Sequence, residues 1–432
     1  MNNPRILTYL LIGIVVAVLI VFAAMFATVS QSRLDPDTQF YVPQPNQDGM
    51  EQIAELTSSG NGADARLVKM MIETPQAVWF TRGTPKSVQQ DVRNTVQRAT
   101  DKGMVPVLVA YNIPFRDCAQ FSAGGATTEA EYQDWIDGFA AGIGDAQVVV
   151  ILEPDALGII PWYDPFGDRD TWATNPNYDG CQPQEADPET AAADRFAMLN
   201  YAVTRLKEDP RTRVYLDGTH SGWLSAGDAA DRLIQAGIAD ADGFFLNVAG
   251  YQLNSQLEKY GTWISKCIAF ASHSSSWGKG HAEWCANQYS PANPEDFSTW
   301  GMTDQWYAEN VENQSLWYVE RQTLWSVESV LKHFVIDTSR NGQGPWTPTT
   351  GQDWCNPRDR GLGLRPTANT GNALIDAYLW IKIPGESDGE CSRGPGPRGT
   401  TSSKWDSVDP TAGQWNPSMV LELVKNANPA LP

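Results

Sequence analysis

The sequence predicts an α/β fold, a seven-stranded parallel β/α barrel with long loops gathered at one end. Two observations predict it. Short apolar runs alternate along the chain with helical patterns, the rhythm that right-handed strand–helix–strand crossovers impose on a parallel sheet. One of these runs, Val148-Val149-Val150-Ile151-Leu152-Glu153-Pro154-Asp155, stays apolar for five residues and then meets two carboxylates around a proline. Such a run suits a strand buried on both faces. An acid just beyond it is not there for packing, because an unpaired buried charge is costly. In β/α barrels the C-terminal ends of strands carry the reactive groups.

The elements follow in order. Ala77 to Phe80 is the first strand, and Lys86 to Lys102 the helix that returns from it. Val105 to Tyr111 is the second strand, followed by a helix over Glu129 to Ile143. Gln147 to Leu152 leads to a helix over Pro188 to Glu208, with its proline in the first turn, where no amide hydrogen is needed. Arg213 to Leu216, Gly243 to Val248, His333 to Ile336 and Tyr378 to Ile383 complete the strands. Ala226 to Gly237 and Asn416 to Asn426 are further helices. Seven strands at this spacing suit a closed or nearly closed barrel. Three stretches rich in Gly, Pro, Trp and Asp break the rhythm: Pro161 to Asp187, Lys266 to Val311 and Ser392 to Gln414. Structureless loops this long are usually functional, and they are expected over the C-terminal face. No linker or repeat interrupts residues 38–432, which read as one domain.

Residues 1–30 read as a targeting segment, because Ile6 to Val29 is uncharged and Arg5 precedes it. The stretch matches the roughly 20 residues that cross a bilayer. It exceeds the apolar region of about 7–15 residues in a cleavable signal, and Thr28-Val29-Ser30 is a weak cleavage site. The expectation is therefore a single N-terminal membrane span, an uncleaved anchor, with a cleaved secretion signal as the alternative. Gln31 to Asp37 follows as a short tether, and Arg5 keeps the short flank inside, so the bulk of the chain lies extracellular. Six cysteines suit disulfides in an exported protein but leave the pairing open. Cys267 and Cys285 flank His273 and His281, so a zinc site competes there with a disulfide; export and the wide spacing favour the disulfide.

The net charge of −20 argues against a nucleic-acid partner and against an anionic membrane surface. Most of the 17 tryptophans fill a core, and the rest are candidate platforms for the flat faces of sugar rings. Polar residues recur just past the strands: Tyr111 and Asp117, Asp155, Asp217 with His220 and Trp223, Asn247, Asp337, and Lys382 with Glu386 and Asp388. Several have plainer roles. Asp337, followed by Thr-Ser-Arg, suits a buried pair or a loop-capping acid, Glu153 a group turned back to bond Lys, Arg or backbone groups, and Asp217 a group that orders His220 or a loop amide. Their convergence on one opening is harder to dismiss. No serine-nucleophile elbow, zinc-binding His-Glu-x-x-His, phosphate loop or dinucleotide fingerprint is present. Paired carboxyls without these point to glycoside hydrolysis, one carboxyl protonated and the other ionised.

At this point the residues resemble glycoside hydrolase family 6, the cellulases of endoglucanase and cellobiohydrolase type. Val109-Ala110-Tyr111-Asn112-Ile113-Pro114-Phe115-Arg116-Asp117-Cys118 is similar to one family signature, and Val150-Ile151-Leu152-Glu153-Pro154-Asp155-Ala156-Leu157 to another. Asp337-Thr338-Ser339-Arg340-Asn341-Gly342, Trp354-Cys355-Asn356-Pro357 and Trp380-Ile381-Lys382-Ile383-Pro384-Gly385-Glu386-Ser387-Asp388-Gly389 extend the likeness. The resemblance implies a distorted seven-stranded parallel β/α barrel with long active-site loops, and inverting hydrolysis of β-1,4-glucan. It implies Asp155 as general acid and Asp388 as base, directly or through a water chain. Asp117 would raise the acid's pKa, and Tyr111 would crowd the sugar at the cleavage point. Trp79, Trp223 and Trp354 would stack on sugars, and Thr81, Asp217, His220, Asn247, Lys382 and Glu386 would bind them. It implies disulfides Cys118–Cys181 and Cys355–Cys391, with Cys267–Cys285 as an addition. Thr219 and Gly250 depart from the family pattern, which has Gly and Asn there. No cofactor or metal is expected, and the chain is read as a monomer acting on cello-oligosaccharides or glucan chains. The stretches at 161–187 and 392–414 lie where roofing loops occur in the family. The expectation is a tunnel and exo release of cellobiose from non-reducing ends, with an open endo-acting cleft as the alternative. A glucan-binding protein that has lost catalysis is the rival from another class.

Overall fold

The computed structural model describes residues 34–118, 120–163, 181–273, 278–312, 330–347, 354–391 and 409–432. Seven strands lie in sequence order in one sheet: β1 (Val78–Phe80), β2 (Val107–Ala110), β3 (Val148–Leu152), β4 (Thr212–Asp217), β5 (Gly243–Leu246), β6 (His333–Asp337) and β7 (Ile375–Leu379). Every neighbouring pair is parallel. Among the described residues β1 and β7 share no ladder, but the chain just past β7 reaches across: Ala77 N–H donates to Trp380 O at 2.9 Å and Trp79 Nε1 to Ile381 O at 2.8 Å. The barrel is therefore nearly closed.

Alternation along the strands sorts the side chains into two cores. Val109, Ile151, Tyr215, Phe245, Val335 and Leu379 point inward and pack together. Leu108, Val150, Leu216, Phe244 and Ile336 point outward, against the helices. Leu34 and Phe40 join the inward set, and Tyr41 N–H donates to Val105 O at 2.9 Å, just before β2. The N-terminal end of the barrel is thus plugged by the segment leading into it. Leu34 is 4% exposed, so the folded unit already includes part of the expected 31–37 tether. Residues 1–33, where the membrane anchor was expected, lie outside the described residues; among the described residues no helix is long and apolar enough to cross a membrane.

Nine α-helices are described: α1 (Gln47–Ser58), α2 (Gly62–Ile72), α3 (Pro85–Thr100), α4 (Glu129–Ile143), α5 (Ala191–Leu206), α6 (Ala226–Gln235), α7 (Asn254–His273), α8 (Gly301–Tyr307) and α9 (Pro417–Lys425). Side-chain caps start several of them. Thr84 accepts from Ser87 N–H ahead of α3, Thr128 from Glu131 N–H ahead of α4 and Ser225 from Asp228 N–H ahead of α6. The pair α1–α2 is absent from the sequence expectation. With α9 it packs over Trp380 and Trp415, where Trp415 Nε1 donates to Gln52 Oε1 at 2.7 Å, and so covers the seam between β1 and β7.

Two expectations are corrected. The last strand is Ile375–Leu379, not Tyr378 to Ile383. Asp376 interrupts its apolar pattern, yet is buried at a register irregularity, accepting from Tyr215 Oη at 2.7 Å with His333 Nδ1 at 2.7 Å. The stretch 266–311 is also not structureless. It begins inside α7, includes α8, and packs largely outside the barrel, where Trp263 meets Trp300 at 5.1 Å between ring centroids. Its apolar helical pattern was masked by its Gly, Ser and Trp content. Most of the stretches 161–187 and 392–414 falls at 164–180 and 392–408, outside the described residues.

Gly243 sets the closeness of β5 to β6. A Cβ there would lie 2.0 Å from His333 O and 3.3 Å from the Tyr215 ring. Gly243→Ala is expected to destabilise the barrel by about 1–3 kcal/mol, the usual cost of overpacking. Urea unfolding followed by tryptophan fluorescence measures it; an unchanged midpoint would remove this contact as a constraint.

Candidate active site

The end of β3 carries the first two acids. Glu153 and Asp155 both hold left-handed backbone conformations, with φ of 54° and 66°. That turn sends the two side chains to different places. Glu153 is fully buried and accepts from Asn112 N–H at 2.9 Å and Ile113 N–H at 3.0 Å, which joins the β2 and β3 ends. Burial pushes its pKa up to about 7, against these amides and Arg195, which pull it down. Arg195, from α5, spans the same two loops, donating to Ala156 O, Ile159 O and Pro114 O at 2.9, 3.1 and 2.7 Å. Asp155 is half-buried.

Asp217, at the end of β4, lies behind the Asp155 turn. It is 3% exposed, and its oxygens accept from Leu157, Gly158 and Thr219 N–H at 3.2, 3.3 and 2.8 Å. Burial raises its pKa to about 6 although these amides oppose it. Past β2, Tyr111 is buried beneath the Arg116 guanidinium, 4.8 Å from its ring centroid. Arg116 Nη1 also donates to Tyr111 O at 2.6 Å. The next turn places Phe115, Asp117 and Cys118 at positive φ and ends in the Cys118–Cys181 disulfide. Asp117 accepts from Ser122 N–H at 2.6 Å.

The opposite wall is built from β6 and the chain beyond β7. Asp337 accepts four backbone amides, from Ala249, Ser339, Ile381 and Lys382, and so acts as the loop-capping acid anticipated above. Arg340, fully buried, donates to Asp388 Oδ2 at 3.0 Å. The same oxygen accepts from Tyr251 Oη at 3.3 Å and Asn356 N–H at 3.0 Å, and Lys382 Nζ lies 3.5 Å from Oδ1. Disulfide Cys355–Cys391 fastens Asn356 beside Asp388. Tyr251, Asn356 and Arg195 carry no role in the sequence reading, and Arg340, which there has Asp337 as a possible partner, bonds Asp388 instead.

Electrostatics separates the two central acids. For Asp155, burial raises the pKa most, Asp217, Asp117 and Asp388 add to it, and Lys382 opposes. For Asp388, burial pushes up, but Arg340 and Lys382 together outweigh it and the pKa falls below the usual carboxylate range. The pKa values of the two carboxyls are thus pushed in opposite directions, Asp155 upward and Asp388 downward.

The remaining candidates surround these acids. Trp79 meets Tyr111 edge-on at 5.4 Å, and Trp354 meets Phe121 at 6.0 Å. Trp223 packs on Gly158, where a Cβ would lie 2.3 Å from the indole, so it stands directly over the Asp155 turn. His220 Nδ1 accepts from Gly222 N–H at 3.2 Å, which leaves Nε2 as the donor of a neutral ring, and burial lowers its pKa to about 4. Thr81, Lys382 and Glu386 are partly exposed. Asn247 is not presented to the opening: it is 1% exposed, donates to Asp337 O at 2.9 Å and accepts from Gln252 N–H at 3.0 Å. Of the two departures from the family pattern, Thr219 sits at φ 56° and meets Tyr260 Oη at 3.2 Å. Cys267 and Cys285 are joined to each other, which uses the sulfurs that a zinc site would need.

Three comparisons bear on this geometry. The family model described as Glycosyl hydrolases family 6 matches residues 35–427. Endoglucanase A of Cellulomonas fimi is 32% identical over 91% of this chain and 62% of its own length. A probable 1,4-beta-D-glucan cellobiohydrolase C of Aspergillus terreus is 30% identical over 74% of this chain and 59% of its own. The chain spans about three fifths of the length of the first curated relatives it matches. Among solved structures, the endoglucanase Cel6 from Mycobacterium tuberculosis, in complex with methyl-cellobiosyl-4-deoxy-4-thio-beta-D-cellobioside, is 30% identical with a TM-score of 0.62, covering 92% of this chain and 100% of that one.

Glu153 makes a testable contribution to stability. Its folded pKa of about 7 exceeds the unfolded value of about 4.3. The folded state therefore binds more protons between these values, and this contribution, complete below about pH 4.3, is lost as pH rises to about 7. Glu153→Gln is expected to flatten that part of the stability–pH curve in urea unfolding. An unchanged slope would mean that Glu153 does not titrate there.

Proposed function

This chain belongs to the glycosyl hydrolases of family 6, and on that premise we propose that it hydrolyses β-1,4-glucosidic bonds in cello-oligosaccharides or glucan chains with inversion at the anomeric carbon. The observation that carries the reading is the pair of carboxyls driven apart in pKa, Asp155 upward and Asp388 downward. Inverting hydrolysis needs a proton donor on the leaving oxygen and an ionised group that activates water, roughly 6.5–9.5 Å apart.

In this reading Asp155 donates its proton to the glycosidic oxygen as the bond to the anomeric carbon breaks. Asp217 does not touch the sugar; its buried charge positions the Asp155 turn and keeps the acid protonated. Asp388 stays ionised and offsets the positive charge that develops on the ring. Arg340, Tyr251 and Asn356 hold its Oδ2. A carboxylate held so firmly is a weak base, which favours proton acceptance through a water chain over direct contact. Asp117, half-exposed at its turn, is placed to hold that water. Tyr111 remains a neutral phenol, because burial and then Asp155 and Asp117 raise its pKa, and it crowds the sugar at the point of cleavage. Trp79, Trp223 and Trp354 supply stacking faces. Thr81, His220, Lys382 and Glu386 supply hydrogen bonds, while Asn247 braces the loop from beneath. Three disulfides suit an exported enzyme.

The exo expectation rests on loops outside the described residues. We favour endo action, because the Cellulomonas endoglucanase covers more of this chain at higher identity than the Aspergillus cellobiohydrolase. Viscometry on carboxymethylcellulose decides: a steep viscosity loss per reducing end is expected, and a flat one would restore the exo mode.

Asp155→Ala is expected to lower kcat/KM on cellohexaose by about 10²–10⁴-fold, the scale of lost acid catalysis. Unchanged activity would reject Asp155 as the acid. Intact cellohexaose with the unaltered chain, despite binding, would establish the non-catalytic rival. Anomer detection by polarimetry reads the stereochemistry. Activity should fall at high pH as Asp155 deprotonates and at low pH as Asp388 protonates. Asp217→Asn removes a negative charge that holds the Asp155 pKa up, so the alkaline limb should move to lower pH. A limb that stays in place would separate Asp217 from the acid.

A further inference from the structure

The segment between α7 and α8 contributes to the candidate cleft in a way that no matched motif describes. Disulfide Cys267–Cys285 ties its start to α7. Gln288, fully buried, donates from Nε2 to Ser221 O at 3.1 Å and to Leu224 O at 2.7 Å, so it clasps both sides of the turn that carries Trp223. Tyr289, the next residue, is 42% exposed, and its hydroxyl donates to Trp223 O at 2.9 Å. Its backbone is fixed as well. Asn287 Oδ1 accepts from Tyr289 and Ser290 N–H at 2.9 and 3.1 Å, Thr303 Oγ1 donates to Asn287 O at 2.9 Å, and Tyr307 Oη to Ala286 O at 3.0 Å.

These contacts connect Tyr289 to the turn that carries the acid. The Trp223 indole lies on Gly158, just past Asp155, and the Trp223 carbonyl accepts from the Tyr289 hydroxyl. We propose that Tyr289 is an outer stacking platform for the glucan chain, one step beyond Trp223. The ordering entropy of this ring is already met in the fold, which suits a binding surface. With its hydroxyl spent on Trp223 O, the ring offers solvent mainly an apolar face. The turn around it, Ala286 to Asn293, carries no charged residue in a chain of net charge −20. A neutral ligand with flat C–H faces fits that surface better than a charged partner, and Trp223, the neighbouring stacking candidate, is one hydrogen bond away.

This inference rests on the glucan-hydrolase reading, and the test separates the two. Compare kcat/KM on cellotetraose and cellohexaose for the unaltered chain and for Tyr289→Ala, Tyr289→Leu and Tyr289→Phe. The Ala and Leu variants should lose about 3–10-fold on cellohexaose, the scale of one aromatic stacking contact. The loss should sit in KM, with cellotetraose little changed. Tyr289→Phe keeps the ring without the hydroxyl and should behave as the unaltered chain. Equal losses on both substrates, or loss in Tyr289→Phe, would make Tyr289 only a brace for Trp223 and overturn the platform. No change in any variant would also overturn it. If the unaltered chain neither binds nor cleaves either oligosaccharide, the hydrolase reading falls and the platform with it.

Discussion

Excess negative charge crowded into one end of a barrel is the constraint on which this structure depends. Glu153, Asp155, Asp217, Asp337 and Asp388 all lie at the C-terminal ends of the strands or just beyond, where desolvation opposes ionisation. Each is accommodated differently. Asp337 spreads its charge over four backbone amides. Glu153 and Asp217 each collect amides from a neighbouring strand end. Asp388 takes the buried Arg340 guanidinium. Asp155 lies within the field of Asp217, Asp117 and Asp388, and burial together with these charges pushes its pKa up. The opposite shifts of Asp155 and Asp388 thus follow from how the other acids are satisfied.

The same acids stabilise the loops that carry them. Non-glycine residues at positive φ recur at the strand ends, at Asp117, Glu153, Asp155, Thr219, Asn247 and Asn356. Left-handed conformations are costly for such residues unless the surroundings hold them. Here the holding groups are specific. Glu153 and Arg195 join the β2 and β3 turns, Asp217 bonds the β3 and β4 turns, and Asn247 and Asp337 link the turns after β5 and β6. Strain at each turn is offset by an acid or amide from its neighbour, so the opening behaves as one interlocked ring rather than as separate loops.

Outside that ring, Gln288 and Tyr289 of the segment between α7 and α8 bond the turn that carries Trp223. Most of it is packed on the outer layer, through Trp263, Trp300 and the Cys267–Cys285 disulfide. Mass on the outside of the barrel can therefore shape the cleft from a distance, by fixing one turn.

The sequence by itself determined the strand–helix alternation, the parallel sheet, the identity of β3 and the acids at its end. These are local matters: apolar runs, turn residues and caps report on their own segments. That Asp337 and Glu153 turn to partners within the fold was legible for the same reason, since a buried acid beside a strand must be satisfied; that those partners are backbone amides was not. Tertiary structure alone decided the partners. Arg340 and Asp388 are 48 residues apart, Tyr251 and Asp388 are 137 apart, and no periodicity relates them. Asp376 broke the apolar pattern of β7, and only the burial of Tyr215 and His333 against it explains its place in a strand. The family resemblance implies Asp217 and Asn247 as sugar-binding positions; in the fold both are buried and bonded to neighbouring turns. The polarity of a residue is written in the chain, but whether it faces solvent, substrate or another strand end depends on packing between segments far apart in sequence.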